Sequence, residues 1–304
     1  WREVMYGFLA RLTPDDVEAI AAQAMMEMLE GGFTHLAEFH YLHHAPDGTA
    51  YADPAEMAIR IGAAAAQTGI GLTMLPVLYT HGGFGAQPPT PGQRRFVNGT
   101  DAYLRLVERT RAALPGAVIG VAPHSLRAAT GEQIAEALRA HPAGPVHIHV
   151  AEQVAEVEAC LAWCGQRPVQ HLLATQPVDA RWCLVHATQM EPRETAAMSA
   201  TGAVAGLCPI TEANLGDGFF DALRFRGPWG VGSDSNVEIT APGELRLLEY
   251  GQRLLHRGRN LLARGEGRST GEDLWTAALQ GGAQACGIAT PALAPGAHAD
   301  IAWL

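Results

Sequence analysis

The chain has 304 residues, of which 48% are hydrophobic and 17% charged, with 34 glycines, a balance that speaks against a disordered or coiled-coil protein and provides for one large core. A formal net charge of −10 argues against nucleic acid, which needs clustered Lys and Arg, but permits a small anionic substrate held by a few local Arg. No apolar run reaches the roughly 18 residues of a membrane span, so no membrane partner is expected.

In chain order, helix and strand patterns alternate, as in a parallel α/β protein. A Thr13-Pro14-Asp15-Asp16 start and a Gly31-Gly32 stop predict the first helix, followed by a strand over 34–43. A helix from Asp53-Pro54 to Gly69 and a strand over 71–79 come next, then a Gly- and Pro-rich loop over 81–98 of a length that is often functional. A helix near 101–114 leads to a strand over 117–122 that runs into Pro123-His124-Ser125-Leu126-Arg127. A helix over 130–140, a strand over 146–152, helices over 153–175 and a strand over 182–186 follow. A helix over 191–200, a strand over 203–209, a polar loop over 211–218, a strand over 229–234 and helices over 242–256 and 270–286 complete the pattern. Seven strands result, one short of a (β/α)8 barrel.

Three of these strands end in residues that bind metals or move protons. They are Val146-His147-Ile148-His149-Val150-Ala151-Glu152, Trp182-Cys183-Leu184-Val185-His186 and Trp229-Gly230-Val231-Gly232-Ser233-Asp234. In a (β/α)8 barrel, groups at the C-terminal ends of different strands converge at one mouth. Two His, a Glu and an Asp so placed make a partial zinc-hydrolase site. Taken singly each has a plainer explanation: a buried His on a backbone carbonyl, or an Asp capping a helix. His124 with Arg127 marks a fourth strand end suited to a carboxylate, since Arg offers planar paired donors. Tyr41 lies in an aromatic and imidazole-rich run, Glu38-Phe39-His40-Tyr41-Leu42-His43-His44, whose last two His read more simply as loop residues. The 211–218 loop lines the mouth without a chemical step assigned to it. Five Cys, at 160, 164, 183, 208 and 286, form no disulfide framework and suit a reduced, cytoplasmic setting as small buried hydrophobes.

These residues make the chain resemble the amidohydrolase superfamily. Longer runs narrow the resemblance to the formimidoylglutamate deiminases: Trp1-Arg2-Glu3-Val4-Met5-Tyr6, Leu78-Tyr79-Thr80-His81-Gly82-Gly83-Phe84-Gly85, Cys208-Pro209-Ile210-Thr211-Glu212-Ala213-Asn214-Leu215-Gly216-Asp217-Gly218 and Glu244-Leu245-Arg246-Leu247-Leu248-Glu249. The resemblance implies a metal-dependent TIM-type barrel and hydrolysis of N-formimidoyl-L-glutamate to N-formyl-L-glutamate and ammonia. It implies one Zn²⁺ per site, held by His149 and Asp234, with Asp234 also accepting a proton from the attacking water. Glu152 would carry that proton to the leaving nitrogen and His186 would orient the water. Arg2, Tyr41, His124 and Arg127 would hold the two carboxylates of a small dicarboxylate substrate, and the protein would be a homodimer. The alternatives are a guanine or adenosine-like deaminase, which has no use for carboxylate clamps, and an inactive barrel used for binding.

The chain departs from that pattern in three places. The resemblance calls for a His-x-His pair on a first barrel strand, supplying two further zinc ligands, and no such strand is found. Residues 1–290 are therefore expected to be an incomplete barrel with C-terminal helices, and 291–304 the start of a return to a small β domain that is mostly lacking. Both ends look cut from a longer chain, and weak zinc binding with little turnover is expected of these 304 residues alone. Asn236 stands where the subfamily suggests His.

Overall fold

The alternating pattern is realised, in a computed structural model that describes residues 2–297 and 300–302, as parallel strands linked by helices. Two compact units form, residues 1–29 with 35–147 and residues 30–34 with 148–304.

The first unit opens with α1 (Arg2–Leu9), which the sequence pattern did not signal, and α2 (Pro14–Glu30). Then come β1 (His35–His40), α3 (Glu56–Thr68), β2 (Gly71–Leu78), α4 (Thr100–Ala113), β3 (Val118–Ile119), β4 (Ala122–Pro123) and α5 (Gly131–Ala140). The sheet order is β1-β2-β3, with β4 also on β2, and all pairs are parallel, His35 facing Gly71 and His40 facing Pro76. β2 reads GLTMLPVL and is buried from its second residue onward, as expected of a central parallel strand covered on both faces. Helix α3 buries Met57, Ala58, Ile61, Ala64 and Ala65, one stripe at the 3.6-residue period, and Gly69 at φ 81° ends it in the left-handed conformation. Burying a side chain such as Ile61 stabilises by about 1.5–3 kcal/mol.

Local packing moves two predicted boundaries. The strand expected over 34–43 stops at His40, because the amides of His43 and His44 both turn to the carbonyl of Arg95, at 3.0 Å each. The strand expected over 117–122 is interrupted at Gly120, where a Cβ would lie 2.4 Å from the Pro145 carbonyl oxygen. The 81–98 loop is tightly held. It contains a short 3-10 turn (Pro91–Gln93), and buried Arg95 donates to the carbonyls of His44 (2.7 Å), Leu12 (3.0 Å) and Leu9.

The second sheet has the order β5-β6-β7-β8, with β6, β7 and β8 paired in parallel: β5 (Val146–Val150), β6 (Trp182–His186), β7 (Val204–Leu207) and β8 (Trp229–Val231). Between and after these strands lie α6 (Val154–Cys164), α7 (Pro168–Thr175), α8 (Pro192–Thr201), α9 (Pro209–Leu215), α10 (Ala241–His256) and α11 (Thr270–Cys286). Helix α11 sits directly on β8: a Cβ on Gly281 would lie 2.0 Å from the Trp229 carbonyl oxygen, so only glycine permits the approach. The polar stretch read as a loop over 211–218 is instead helix α9 through Leu215, opened by Pro209 in its first turn and closed by Gly216 in the left-handed conformation.

None of the five cysteines is in a disulfide, and among the described residues no helix is long and apolar enough to cross a membrane. The α/β class with parallel sheets is thus as expected from the sequence.

Candidate metal centre and catalytic site

In the second unit the ends of β5, β6 and β8 bring His149, His186 and Asp234 together. One ligand atom from each lies within 4.8 Å of the others, close enough to surround a single cation. The His149 and His186 rings stack with centroids 5.5 Å apart and planes 27° apart. Glu152 reaches the same place, its Oε1 3.8 Å from His186 Nε2. Three of the four sequence-predicted groups therefore share one donor cluster, and the fourth borders it. Two nitrogen donors and a carboxylate suit zinc, which catalytic sites commonly hold through three protein ligands and an open position. His186, assigned to the water on the basis of resemblance, is thus also near enough to be a third ligand.

The backbone at these strand ends is unusual. Ala151, His186, Ala187, Asp234 and Asn236 all have φ between 46° and 68°, a region that non-glycine residues seldom occupy. Each such residue costs of order 1–3 kcal/mol and persists only where surrounding bonds hold it. Those bonds are present. The amides of Ala151 and Glu152 donate to the two oxygens of Glu156, at 3.2 and 3.0 Å. The Ala187 amide donates to the Val150 carbonyl at 3.0 Å. Ser233 Oγ donates to Asn236 Oδ1 at 2.6 Å, and the Asn236 amide returns to the Ser233 carbonyl at 3.0 Å, closing a turn around Asp234. Asn236 therefore shapes the turn, and Asn tolerates the left-handed region better than most residues.

The sequence pattern missed one member of the site. Glu212, on α9, is 3% exposed and places Oε1 3.2 Å from His186 Nδ1 and 3.0 Å from the Cys208 amide, which donates to it. The expectation that the 211–218 stretch only lines the mouth is corrected: it puts a buried carboxylate against a site histidine. The available signal was a Glu three residues after Pro209 at a strand-to-helix turn. Burial lowers the His186 pKa, but the Glu212 hydrogen bond and the charges of Glu152, Glu212 and Asp234 outweigh it and bring it up to about 9. Glu244, fully buried on α10, accepts the Ile210 amide at 2.9 Å. Burial raises its pKa, the Ile210 bond opposes, and the charges of Glu212, Asp234 and Glu238 add to the rise, to about 8.

The first unit assembles the other predicted group. His124 contacts Tyr79 (ring centroids 4.7 Å apart), Phe39 (5.9 Å) and Tyr41 (6.1 Å), and Tyr41 packs edge-on to Phe96 at 4.9 Å. Desolvation by these rings, then the Arg127 charge, holds His124 below its ordinary pKa, so it is neutral at pH 7. Arg127 is the cation of the pair, and its Nε is buried with no hydrogen-bond partner among the described residues. Arg2 begins α1, but its side chain lies outside the described residues. His43 and His44 serve packing: their Nε2 atoms meet the carbonyls of Val77 (3.0 Å) and Val97 (2.9 Å).

The chain is similar to known proteins over nearly its whole length. The chain is 56% identical to a formimidoylglutamate deiminase of Pseudomonas aeruginosa over 99% of its own length and 68% of that protein's. It superposes on a crystal structure of an amidohydrolase from Brucella melitensis with a TM-score of 0.96 and 55% identity, covering 98% of this chain and 68% of that one. The fold, at 22% identity and a TM-score of 0.72, also matches an adenosine deaminase from Xanthomonas campestris solved with bound zinc, covering 91% of this chain and 58% of that one. The model of the amidohydrolase family matches residues 1–304, and the chain belongs to that family.

Proposed function

We propose that the protein hydrolyses N-formimidoyl-L-glutamate to N-formyl-L-glutamate and ammonia, using a divalent ion, zinc by preference, at the β5–β6–β8 strand ends. The observation that carries this is the convergence of His149, His186 and Asp234 donors within 4.8 Å, bordered by Glu152, in a chain 56% identical to a deiminase of that name. When bound, such an ion supplies Lewis acidity, bringing the pKa of a coordinated water to about 7. His149 and Asp234 would hold the ion. Asp234 takes a proton as attack begins, Glu152 delivers one to the departing nitrogen, and His186 orients the water between them. Arg127 pairs with a substrate carboxylate, neutral His124 and the Tyr41 hydroxyl bond to it, and Arg2 serves the second carboxylate. A (β/α)8 barrel is the architecture that best fits the strand–helix repeats and the likeness to the Brucella melitensis structure. A reduced cytoplasmic setting and a homodimer complete the proposal. The absence of disulfides accords with the first, and sedimentation would test the second.

The test is ammonia release from N-formimidoyl-L-glutamate, guanine and adenosine by the purified, zinc-supplied protein. Only the first should react. Glu152→Gln should lower kcat roughly 100- to 10,000-fold, the usual worth of a general acid–base group. Faster release from guanine, or an unaffected Glu152→Gln variant, would sink the proposal.

A further inference from the structure

Histidines in this protein differ in what they lean on. Buried His43 and half-buried His44 meet backbone carbonyls. His186, 1% exposed, instead meets a carboxylate, Glu212, at 3.2 Å from Nδ1. The Glu212 oxygen is itself fixed, since Oε1 also accepts the Cys208 amide at 3.0 Å. With Nδ1 engaged there, the other ring nitrogen, Nε2, is the one that faces Glu152, at 3.8 Å. The ring has little freedom to turn, because it is buried and stacks on His149. A histidine at a metal pocket commonly gives its second N–H to a carboxylate, which fixes both tautomer and ring plane.

We propose that Glu212 is a positioning residue: it accepts the Nδ1 proton of His186, holds the ring in that tautomer, and so presents Nε2 to the His149 and Asp234 pocket. Glu212 touches neither substrate nor ion. It acts through His186 from the first turn of helix α9. This role rests on the proposal that the pocket holds a divalent ion.

The experiment compares wild type, Glu212→Gln and Glu212→Leu as zinc-loaded proteins labelled with ¹⁵N-histidine, with His186→Asn identifying the resonances of that ring. The charge of the bound zinc opposes a second proton on the ring, so zinc-loaded wild type should show His186 protonated at Nδ1 and unprotonated at Nε2. Glu212→Leu should lose that signature and 10- to 100-fold in kcat with KM little changed. Glu212→Gln keeps an acceptor oxygen, so it should retain the Nδ1 proton and lose less; it carries the test alone if Glu212→Leu does not fold. An unchanged His186 tautomer in Glu212→Leu, or equal losses in both variants, would overturn the role. Cobalt substitution adds a control, because Cys208, Glu212 and His186 also lie within 4.8 Å of one another. A sulfur-to-cobalt charge-transfer band would show that the ion sits on Cys208, in the cluster with Glu212 and His186 rather than with His149 and Asp234, which also overturns it. Failure of wild type to bind zinc in a direct titration with excess metal would overturn the metal pocket itself, whereas zinc bound with a Glu212-independent tautomer overturns only the role of Glu212.

Discussion

At the scale of single residues, the two predicted groups differ in the kind of charge they present. His149, Glu152, His186 and Asp234 form an acidic, donor-rich cluster, and Arg127 is the cation of a mostly aromatic surround in which His124 stays neutral. Arg127→Ala should therefore raise KM for N-formimidoyl-L-glutamate about 10- to 100-fold, the worth of a charged hydrogen bond of about 1.5–3 kcal/mol, with kcat nearly unchanged. Steady-state kinetics decides: a fall in kcat at constant KM would place Arg127 in the chemistry instead of the clamp. Asp234→Ala removes a donor and its charge together, so zinc should raise the melting temperature of wild type but not of this variant. His149, Glu152, His186 and Asp234 were legible from the sequence because each closes an apolar strand. Glu212 was not, because its partner His186 is fixed only by the fold.

At the scale of elements, strands and long helices declared themselves through periodicity, while short or interrupted elements did not. Helix α9 has seven residues, too few to show a 3.6-residue pattern. The split between β3 and β4 depends on Gly120 meeting the Pro145 carbonyl, a contact far from local pattern. The seat of α11 on β8 is of the same kind. Gly281→Ala would drive a methyl into the Trp229 carbonyl, 2.0 Å from where its Cβ must stand. Overpacking of this kind costs about 1–3 kcal/mol, so a lowered denaturant midpoint is expected from Gly281→Ala. Gly282→Ala serves as the control: a Cβ there meets nothing within 4 Å, and it should be near neutral. Equal effects would mean that α11 sits farther from β8.

For the whole molecule, buried titratable groups set the pH range of stability of the metal-free protein. Burial lowers His40 to about 4 and holds His43 and His124 below their ordinary value. Between about pH 4 and 6.5 the unfolded chain binds more protons at these three sites, so their contribution is present above 6.5 and lost as pH falls. Burial raises Glu38 to about 7 and Glu244 to about 8. These carboxyls work the other way: their contribution is complete below the usual 4.5 and is lost as pH rises through 7 to 8. Three sites against two leave a net gain with pH up to about 6.5, then a decline. Thermal unfolding from pH 4.5 to 8.5 should show a maximum near 6.5, and Glu244→Gln should flatten the alkaline limb. A maximum at pH 8 would contradict the assigned shifts. The sequence by itself pointed to the parallel α/β class and to four residues that the fold brings together, because hydrophobic period and strand-end chemistry are local, and its longer runs carried the resemblance to the family. Only the tertiary structure decided that Glu212 leans on His186, that His124 is neutral, and that Asn236 closes the Asp234 turn. Each depends on burial and distance between residues far apart in the chain or on backbone angles, and no local pattern encodes either.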